Sequence, residues 1–168
     1  MDEPLDTLQA CHQGIEFELG VLENFAAHLA ARGGDEAARS AARAVMRYFD
    51  TVAAAHHRDE DEDLFPLLRA AAARDGRDEI CATLYELQRE HQSMERLYAR
   101  LRAELQAIAA AESARLDAEL VTRFAWIYRR HMRVEGDLLL PYARQAIGPS
   151  QRAELGARMA ARRQAASA

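Results

Sequence analysis

Four of the six histidines in this chain are followed four residues later by a glutamate. With 16 glutamates among 168 residues, fewer than one such pair is expected by chance. An i, i+4 spacing places an imidazole and a carboxylate on the same face of an α-helix, one turn apart. Both groups are ligands that iron, manganese and zinc accept. The candidate ligand pairs are His12/Glu16, His56/Glu60, His91/Glu95 and His131/Glu135.

The pairs lie in two repeated motifs. Residues 56–66 and 131–141 share the pattern H-x-R-x-E-x(3)-L-x-P, and residues 8–16 and 87–95 share L-Q-x-x-H-Q-x-x-E. The repeats indicate two helix pairs, each with one helix of either type. Pro66 and Pro141 remove a backbone donor and crowd the preceding turn, so we expect a kink or a break in each helix of the first type.

Few Gly and Pro residues and a 3.6-residue apolar periodicity predict an all-α protein. The helical segments are expected at roughly 5–31, 36–73, 78–111 and 115–147, followed by a short one at 150–163. Short connections between long helices favour an up-down-up-down antiparallel four-helix bundle. We therefore expect one bundle over residues 1–147, and a short C-terminal helix and tail over residues 148–168.

Composition excludes several classes of function. The net charge of −5 gives no basic surface for nucleic acid. Cys11 and Cys81 do not make a disulfide framework. The acidic N-terminus is unlike a signal peptide, and the chain has no run of 18 apolar residues that would span a membrane. The expectation is a soluble cytoplasmic protein, a monomer or a weak dimer.

The histidines of the four pairs fall on the apolar stripes, so they are expected in the bundle core. Four buried imidazoles and up to four carboxylates need compensation, which a metal would supply. The non-metal alternative is a fully satisfied His/Glu hydrogen-bond network. The ligands exceed a closed four-ligand zinc site and suit two octahedral irons. In that arrangement Glu60 and Glu135 would bridge, and the terminal ligands would be His12, His56, His91 and His131.

The other acids of the set are more ambiguous. Glu95 and Glu16 could be terminal ligands, hydrogen-bond partners of ligands, or partners of nearby arginines. Asp63 lies seven residues after His56, so it could support the site or belong to an ordinary solvated acidic surface.

Several other residues of suitable chemistry are expected to have structural roles. His57 points about 100° away from His56, and we expect it to form an exposed pair with Asp61. Tyr98, Tyr128 and Trp126 are predicted in the core, with the alternative that a tyrosine hydrogen-bonds a ligand at the metals. The remaining residues predicted to be structural are His28 and Cys11.

In chain order the motifs read H, H-x-x-x-E, H, H-x-x-x-E, at His12, His56/Glu60, His91 and His131/Glu135. With the Leu-Phe-Pro that follows Glu60, this pattern resembles the bacterial hemerythrin-like proteins of the HHE cation-binding family, over about residues 5–146. The resemblance implies a non-haem di-iron centre with four histidines and two bridging carboxylates, in which an oxo or hydroxo group could also bridge the irons.

Glu95 marks a departure from one branch of that family. Oxygen-carrying hemerythrins have a second histidine one turn after the third-helix histidine, where this chain has Glu95. The departure argues against reversible oxygen carriage. It favours branches that react with nitric oxide, peroxide or oxygen, or that handle iron.

Three functional hypotheses follow. The first is a di-iron protein that binds and reacts with a small oxidant, as an oxidoreductase consuming peroxide or nitric oxide and served by a redox partner. The second is a non-catalytic oxygen or iron sensor, carrier or iron store. The third is a structural bundle that binds zinc or manganese adventitiously, since such sites follow metal availability as well as affinity.

Overall fold

A computed structural model describes residues 3–166 as five helices, with no strand among those residues. The all-α prediction is confirmed. Helix α1 spans Pro4–Arg32, α2 residues 36–75, α3 Asp78–Ala109, α4 residues 118–146 and α5 Pro149–Ala166. Each of the first three helices packs against the next, and α1 packs against α4, which closes the four-helix bundle.

Turn and cap residues set where the helices begin and end. The Asp35 side chain accepts the Ala38 N–H at 2.8 Å at the start of α2, and Asp117 accepts the Leu120 N–H at 3.1 Å at the start of α4. Such caps satisfy donors that the first helical turn leaves free. At the end of α2, Gly76 adopts a left-handed conformation with φ of 67°, which favours glycine.

Two helices contain π-helical turns. In α2, the π-helical stretches Phe49–Ala53 and Asp59–Leu64 separate the α-helical stretches, which are Glu36–Tyr48, Ala54–Arg58 and Phe65–Asp75. In α4, the π-helical stretch Glu135–Leu139 lies between Ala118–Val134 and Leu140–Ala146.

The two prolines do not break their helices. Pro66 and Pro141 each occupy the second position of the α-helical stretch that follows a π-helical turn. A wider turn before the proline gives its ring room beside the carbonyl that it would otherwise crowd. The motif H-x-R-x-E-x(3)-L-x-P is therefore an uninterrupted helix with a π-helical turn, and Glu60 and Glu135 lie in those turns.

The apolar core consists of two clusters of buried residues, separated along the bundle by a polar layer. On α1 the second cluster contains Leu5 and Leu8, and the first begins at Ile15. On α3 the second cluster ends at Leu87 and the first begins at Met94. His12 and His91 lie in the gaps, so each histidine has apolar packing on both sides along its helix.

Helix α5 packs outside the four-helix bundle. Its Leu155 and Met159 are buried in the same cluster as Leu5 and Leu8 of α1, and the helix also contacts the π-helical turn Asp59–Leu64. At 18 residues it is longer than the short helix predicted from the sequence. No helix in the described range 3–166 is long and apolar enough to cross a membrane.

Two phenylalanine substitutions test this account of the core. Phe124 is fully buried, with its ring 4.9 Å from Tyr128 and 5.2 Å from Phe49, whereas Phe17 is 69% exposed. We expect Phe124→Ala to lower the free energy of unfolding by about 3–5 kcal/mol through cavity formation, and Phe17→Ala to change it by less than about 0.5 kcal/mol. Urea unfolding followed by circular dichroism measures both. Equal losses would contradict the assignment of Phe124 to the core.

Candidate metal centre

The four long helices bring together six side chains from the four His/Glu pairs. Their ligand atoms form two groups, and within each group all atoms lie within 4.8 Å of one another. The first group is His12, His56, Glu60 and Glu135, and the second is Glu60, His91, His131 and Glu135. Both glutamates therefore belong to both groups, while each histidine belongs to one.

Glu60 divides its two carboxylate oxygens between the groups. Its Oε1 lies 3.1 Å from His56 Nε2 and 3.8 Å from His12 Nε2. Its Oε2 lies 3.4 Å from His91 Nε2. One carboxylate thus faces histidines of α1 and α2 with one oxygen and a histidine of α3 with the other.

Glu135 is arranged in the same way from the opposite helix. Its Oε2 lies 3.1 Å from His12 Nε2, and its Oε1 lies 3.2 Å from His131 Nε2. The repeated motif therefore places two equivalent carboxylates across the same pair of histidine groups. Since each glutamate lies in a π-helical turn, the turn is the local structure that presents the carboxylate to the centre.

Several polar atoms of the centre are buried without a hydrogen-bond partner. They include His12 Nε2, Glu60 Oε2 and both carboxylate oxygens of Glu135. Unsatisfied buried polar atoms are costly, and these belong to the residue types that ligate iron, manganese or zinc. The ring nitrogens Nε2 of His91 and His131 also face each other at 2.9 Å. The donor set fits cation binding, which would satisfy these atoms together.

Two further carboxylates contact the outer nitrogens of the second histidine group. Asp61 Oδ2 lies 3.0 Å from His91 Nδ1, and Glu90 Oε2 lies 3.0 Å from His131 Nδ1. Glu90 also pairs with Arg130. A carboxylate on the outer nitrogen fixes the orientation and tautomer of an imidazole whose other nitrogen binds metal. Sequence spacing did not reveal Glu90, because it contacts a histidine of a neighbouring helix.

The predicted exposed pair of His57 and Asp61 is wrong. His57 is 7% exposed, and its ring stacks 4.1 Å from that of His91 and 5.4 Å from that of Tyr128. Helix α2 packs against neighbours over an arc wide enough to bury residues 100° apart. Burial lowers the pKa of His57 well below 6.5, so the ring is neutral near pH 7. Asp61 contacts His91 instead.

Glu16 and Glu95 lie outside both groups. The Glu16 side chain is 52% exposed, and its carboxylate lies 2.9 Å from Arg129 Nη2. Glu95 is exposed. Both residues follow their histidines in regular α-helix, whereas Glu60 and Glu135 lie in π-helical turns. Of the roles open to Glu16, the structure favours partnership with an arginine.

The aromatic predictions have mixed outcomes. Tyr128 is buried as predicted, but Trp126 is 60% exposed beneath the Arg130 guanidinium, so its placement in the core is wrong. Tyr98 is only partly buried and donates a hydrogen bond to Asp50 at 2.7 Å. The Arg130 guanidinium covers one face of the exposed Trp126 ring on the α4 surface, where a cation–π contact is favourable.

Charge within the centre is balanced between carboxylates and imidazoles. Burial lowers the pKa of His12, but the close carboxylates of Glu135 and Glu60 outweigh burial and raise it to about 9. The pKa of His91 is likewise raised to about 9, by Asp61 and Glu60 against the effect of burial. Burial favours the neutral form of Glu60, but the surrounding histidines hold its pKa well below 4.5. Without a cation, protonated imidazoles thus compensate the buried carboxylates.

Two openings lie beside the centre. A cavity of about 300 Å³ is lined by His57, Asp61, Met94, Glu95 and Tyr128, among others. A wider crevice of about 540 Å³ between α1 and α4 reaches His12, whose side chain is 11% exposed. The crevice therefore gives small molecules an approach to the centre at His12, while the cavity ends at His57, whose ring stacks on that of His91.

Comparison with known families agrees with this geometry. The model of the hemerythrin HHE cation-binding domain matches residues 3–143, with a second, overlapping match over residues 82–162. The chain is also 27% identical over 163 residues to an uncharacterized protein of Haemophilus influenzae, covering 97% of this chain and 91% of that protein. The family resemblance inferred from the motifs is confirmed.

The raised pKa values predict how cation affinity depends on pH. Because His12 and His91 hold protons up to about pH 9, a cation must displace those protons at lower pH. The apparent affinity for Mn²⁺ should therefore rise between pH 7 and pH 8, by about tenfold for each displaced proton. Calorimetric titration in buffers of different ionisation enthalpy measures both the affinity for Mn²⁺ and the number of protons released.

Glu16→Gln is the control for this titration, since Glu16 lies outside both ligand groups. This variant should show the same pH dependence as the unmodified protein. Equal Mn²⁺ affinities at pH 7 and pH 8, with no proton release, would contradict the charge balance described for the centre.

Proposed function

Because this chain belongs to the hemerythrin HHE cation-binding family, we propose that its buried centre holds two iron ions and reacts with a small oxidant. The observation that supports two ions is that both carboxylates are shared between two groups of histidines. The bridging ligands would be Glu60 and Glu135. The terminal ligands of one ion would be His12 and His56, and those of the other would be His91 and His131.

The ligand count also favours reaction with an added small molecule. Two histidine nitrogens and two carboxylate oxygens give each ion four protein ligands, while iron in nitrogen and oxygen sites accepts up to six. When bound, ferrous iron would supply electrons to hydrogen peroxide, nitric oxide or dioxygen. The cavity beside His57 and Tyr128 is large enough for such molecules.

The protein would contribute orientation and a dry environment. Asp61 and Glu90 would hold the rings of His91 and His131 with their Nε2 atoms toward the centre. The apolar clusters on both sides would exclude bulk water. Position 95 holds an exposed glutamate where oxygen carriers have a histidine ligand. The missing histidine supports reaction with an oxidant over reversible oxygen carriage.

A non-catalytic iron or oxygen sensor, or an iron store, is the second candidate. It is favoured by the partnerless buried atoms of His12, Glu60 and Glu135, which make the stability of the fold depend on the cation. A ligand that binds only the folded state raises the melting temperature. A large iron-dependent shift in melting temperature without turnover would identify this class.

Metal content tests the ligand assignment. Protein loaded anaerobically with Fe²⁺ and desalted should retain about two irons per chain, as the two ligand groups imply. Glu60→Gln should retain one or none, because the substitution removes a shared ligand. Glu95→Gln, the same change on an exposed residue, should retain two. Elemental analysis decides, and a Glu60→Gln variant with two tightly bound irons would exclude Glu60 as a bridge.

Reactivity tests the chemical part of the proposal. Stopped-flow absorbance should show that the diferrous protein consumes hydrogen peroxide or nitric oxide at least about tenfold faster than the same concentration of free Fe²⁺. His56→Ala, which removes a terminal ligand, should reduce the rate to that of free iron. If two irons bind but no oxidant is consumed faster than by free iron, the sensor or store is the correct class.

A further inference from the structure

A buried ion cluster joins α5 to the π-helical turn that carries Glu60. Asp59 is fully buried, and each of its carboxylate oxygens contacts a different guanidinium of α5. Arg162 contacts Oδ1, and Arg163 Nη2 lies 2.8 Å from Oδ2. The same turn has a second attachment, since Arg162 Nη2 lies 2.8 Å from Asp63 Oδ2.

The acidic run from Asp59 to Asp63 is therefore not a solvated surface. Asp59 and Asp63 pair with arginines of α5, Glu60 faces the centre and Asp61 contacts His91. Even Glu62, whose side chain is exposed, has an oxygen 2.9 Å from Arg162 Nη2. Every acid of the run has a specific partner, so the conformation of this turn depends on contacts from other helices.

The arginines of α5 contact the residues that directly precede two of the proposed ligands. Asp59 precedes Glu60, and Cys11, whose Sγ lies 3.9 Å from Arg163 Nη2, precedes His12. His12 and Glu60 both belong to the first ligand group. Arg163 thus contacts the residue before a ligand on α1 and the residue before a ligand on α2.

The histidines specific to the second ligand group are supported from within the bundle. His91 is contacted by Asp61 of α2, and His131 by Glu90 of α3. The two metal positions of the proposed centre therefore differ in how their ligands are held, although their donor atoms are alike.

We propose that Arg162 and Arg163 are positioning residues that set the metal affinity of the first position, the one formed by His12, His56, Glu60 and Glu135. The inference rests on the proposed two-metal function. Removing the guanidiniums leaves the Asp59 charge buried and unpaired, so the turn must shift to hydrate it. That shift moves Glu60, which both positions share. Loss of the Arg163 contact with Cys11 also releases His12, a ligand of the first position alone. The second position keeps His131, which Glu90 of α3 holds from outside the turn.

The test is a Mn²⁺ titration of the Arg162→Gln/Arg163→Gln double variant. Supporting residues of metal ligands change affinity by about 10–100-fold, so affinity should fall by that factor at the first position and by a smaller factor at the second, whose His131 and Glu135 lie outside the displaced turn. Near one equivalent of metal, electron paramagnetic resonance should show isolated Mn²⁺ in the variant. With two equivalents, the unmodified protein should show exchange-coupled pairs.

Two matched variants separate positioning from loss of charge or of helix packing. Arg152→Gln removes the same charge from the same helix, but Arg152 contacts Glu3 and the carbonyls of Arg144 and Ile147, none of which lies in the turn, and the variant should leave both affinities unchanged. Arg162→Lys/Arg163→Lys keeps both charges and should restore much of the first affinity. Circular dichroism checks that each variant is folded, and Asp59→Asn replaces the double variant if that variant does not fold.

The outcomes distinguish this inference from the proposed function. If the unmodified protein binds fewer than two metals, the two-metal function fails. If it binds two, and the double variant or Asp59→Asn binds two with unchanged affinities, the role of α5 is refuted. Equal weakening of both positions also refutes it, because that result indicates a general structural effect.

Discussion

The burial of two carboxylates among four imidazoles is the interaction on which the rest of the structure depends. Glu60 and Glu135 lie between two apolar clusters, where an unpaired charge would be destabilising. Each contacts one histidine of its own helix and a histidine of another helix, so the compensation of either carboxylate joins at least two helices. The requirement for charge balance thus orders the four helices around one point, and the apolar clusters then pack above and below it.

Much of this arrangement could be predicted from the chain alone. Helical periodicity predicts the helices to within a few residues, and the repeated H-x-x-x-E motifs predict the six residues that the structure brings together. The spacing along one helix did not predict the role of a residue where that role depends on a contact with another helix. Glu16 satisfies the same i, i+4 rule as Glu60, but Arg129 of α4 pairs with it. His57 was predicted as exposed because a single-helix view does not show that Tyr128 and His91 cover it.

Helix α5 shows how an element outside the bundle becomes part of the centre. Its apolar contacts with Leu5 and Leu8 hold it on the bundle, while its arginines neutralise Asp59. Sequence patterns do not reveal such a cluster, since about a hundred residues separate Asp59 from Arg162. The two repeats of the ligand motif share five of eleven residues, and one of the differences is that Val134 stands where the first repeat has Asp59. Their surroundings differ accordingly, because α5 contacts the turn at Asp59–Leu64.

The π-helical turns also constrain how this sequence can vary in length. A π-helical turn accommodates one more residue than an α-helical turn, and the side chains after it are rotated by about 100° relative to an uninterrupted α-helix. In α2 the apolar residues that follow the turn, such as Phe65 and Leu68, are buried in that rotated register. Deleting one residue between Glu60 and Pro66 would let the turn close as an ordinary α-helical turn, with Phe65 and Leu68 still in their buried register, but it would remove the turn that presents Glu60 to the centre. The extra residue of each π-helical turn thus serves the placement of a ligand carboxylate, and the packing of the apolar residues after the turn does not require it.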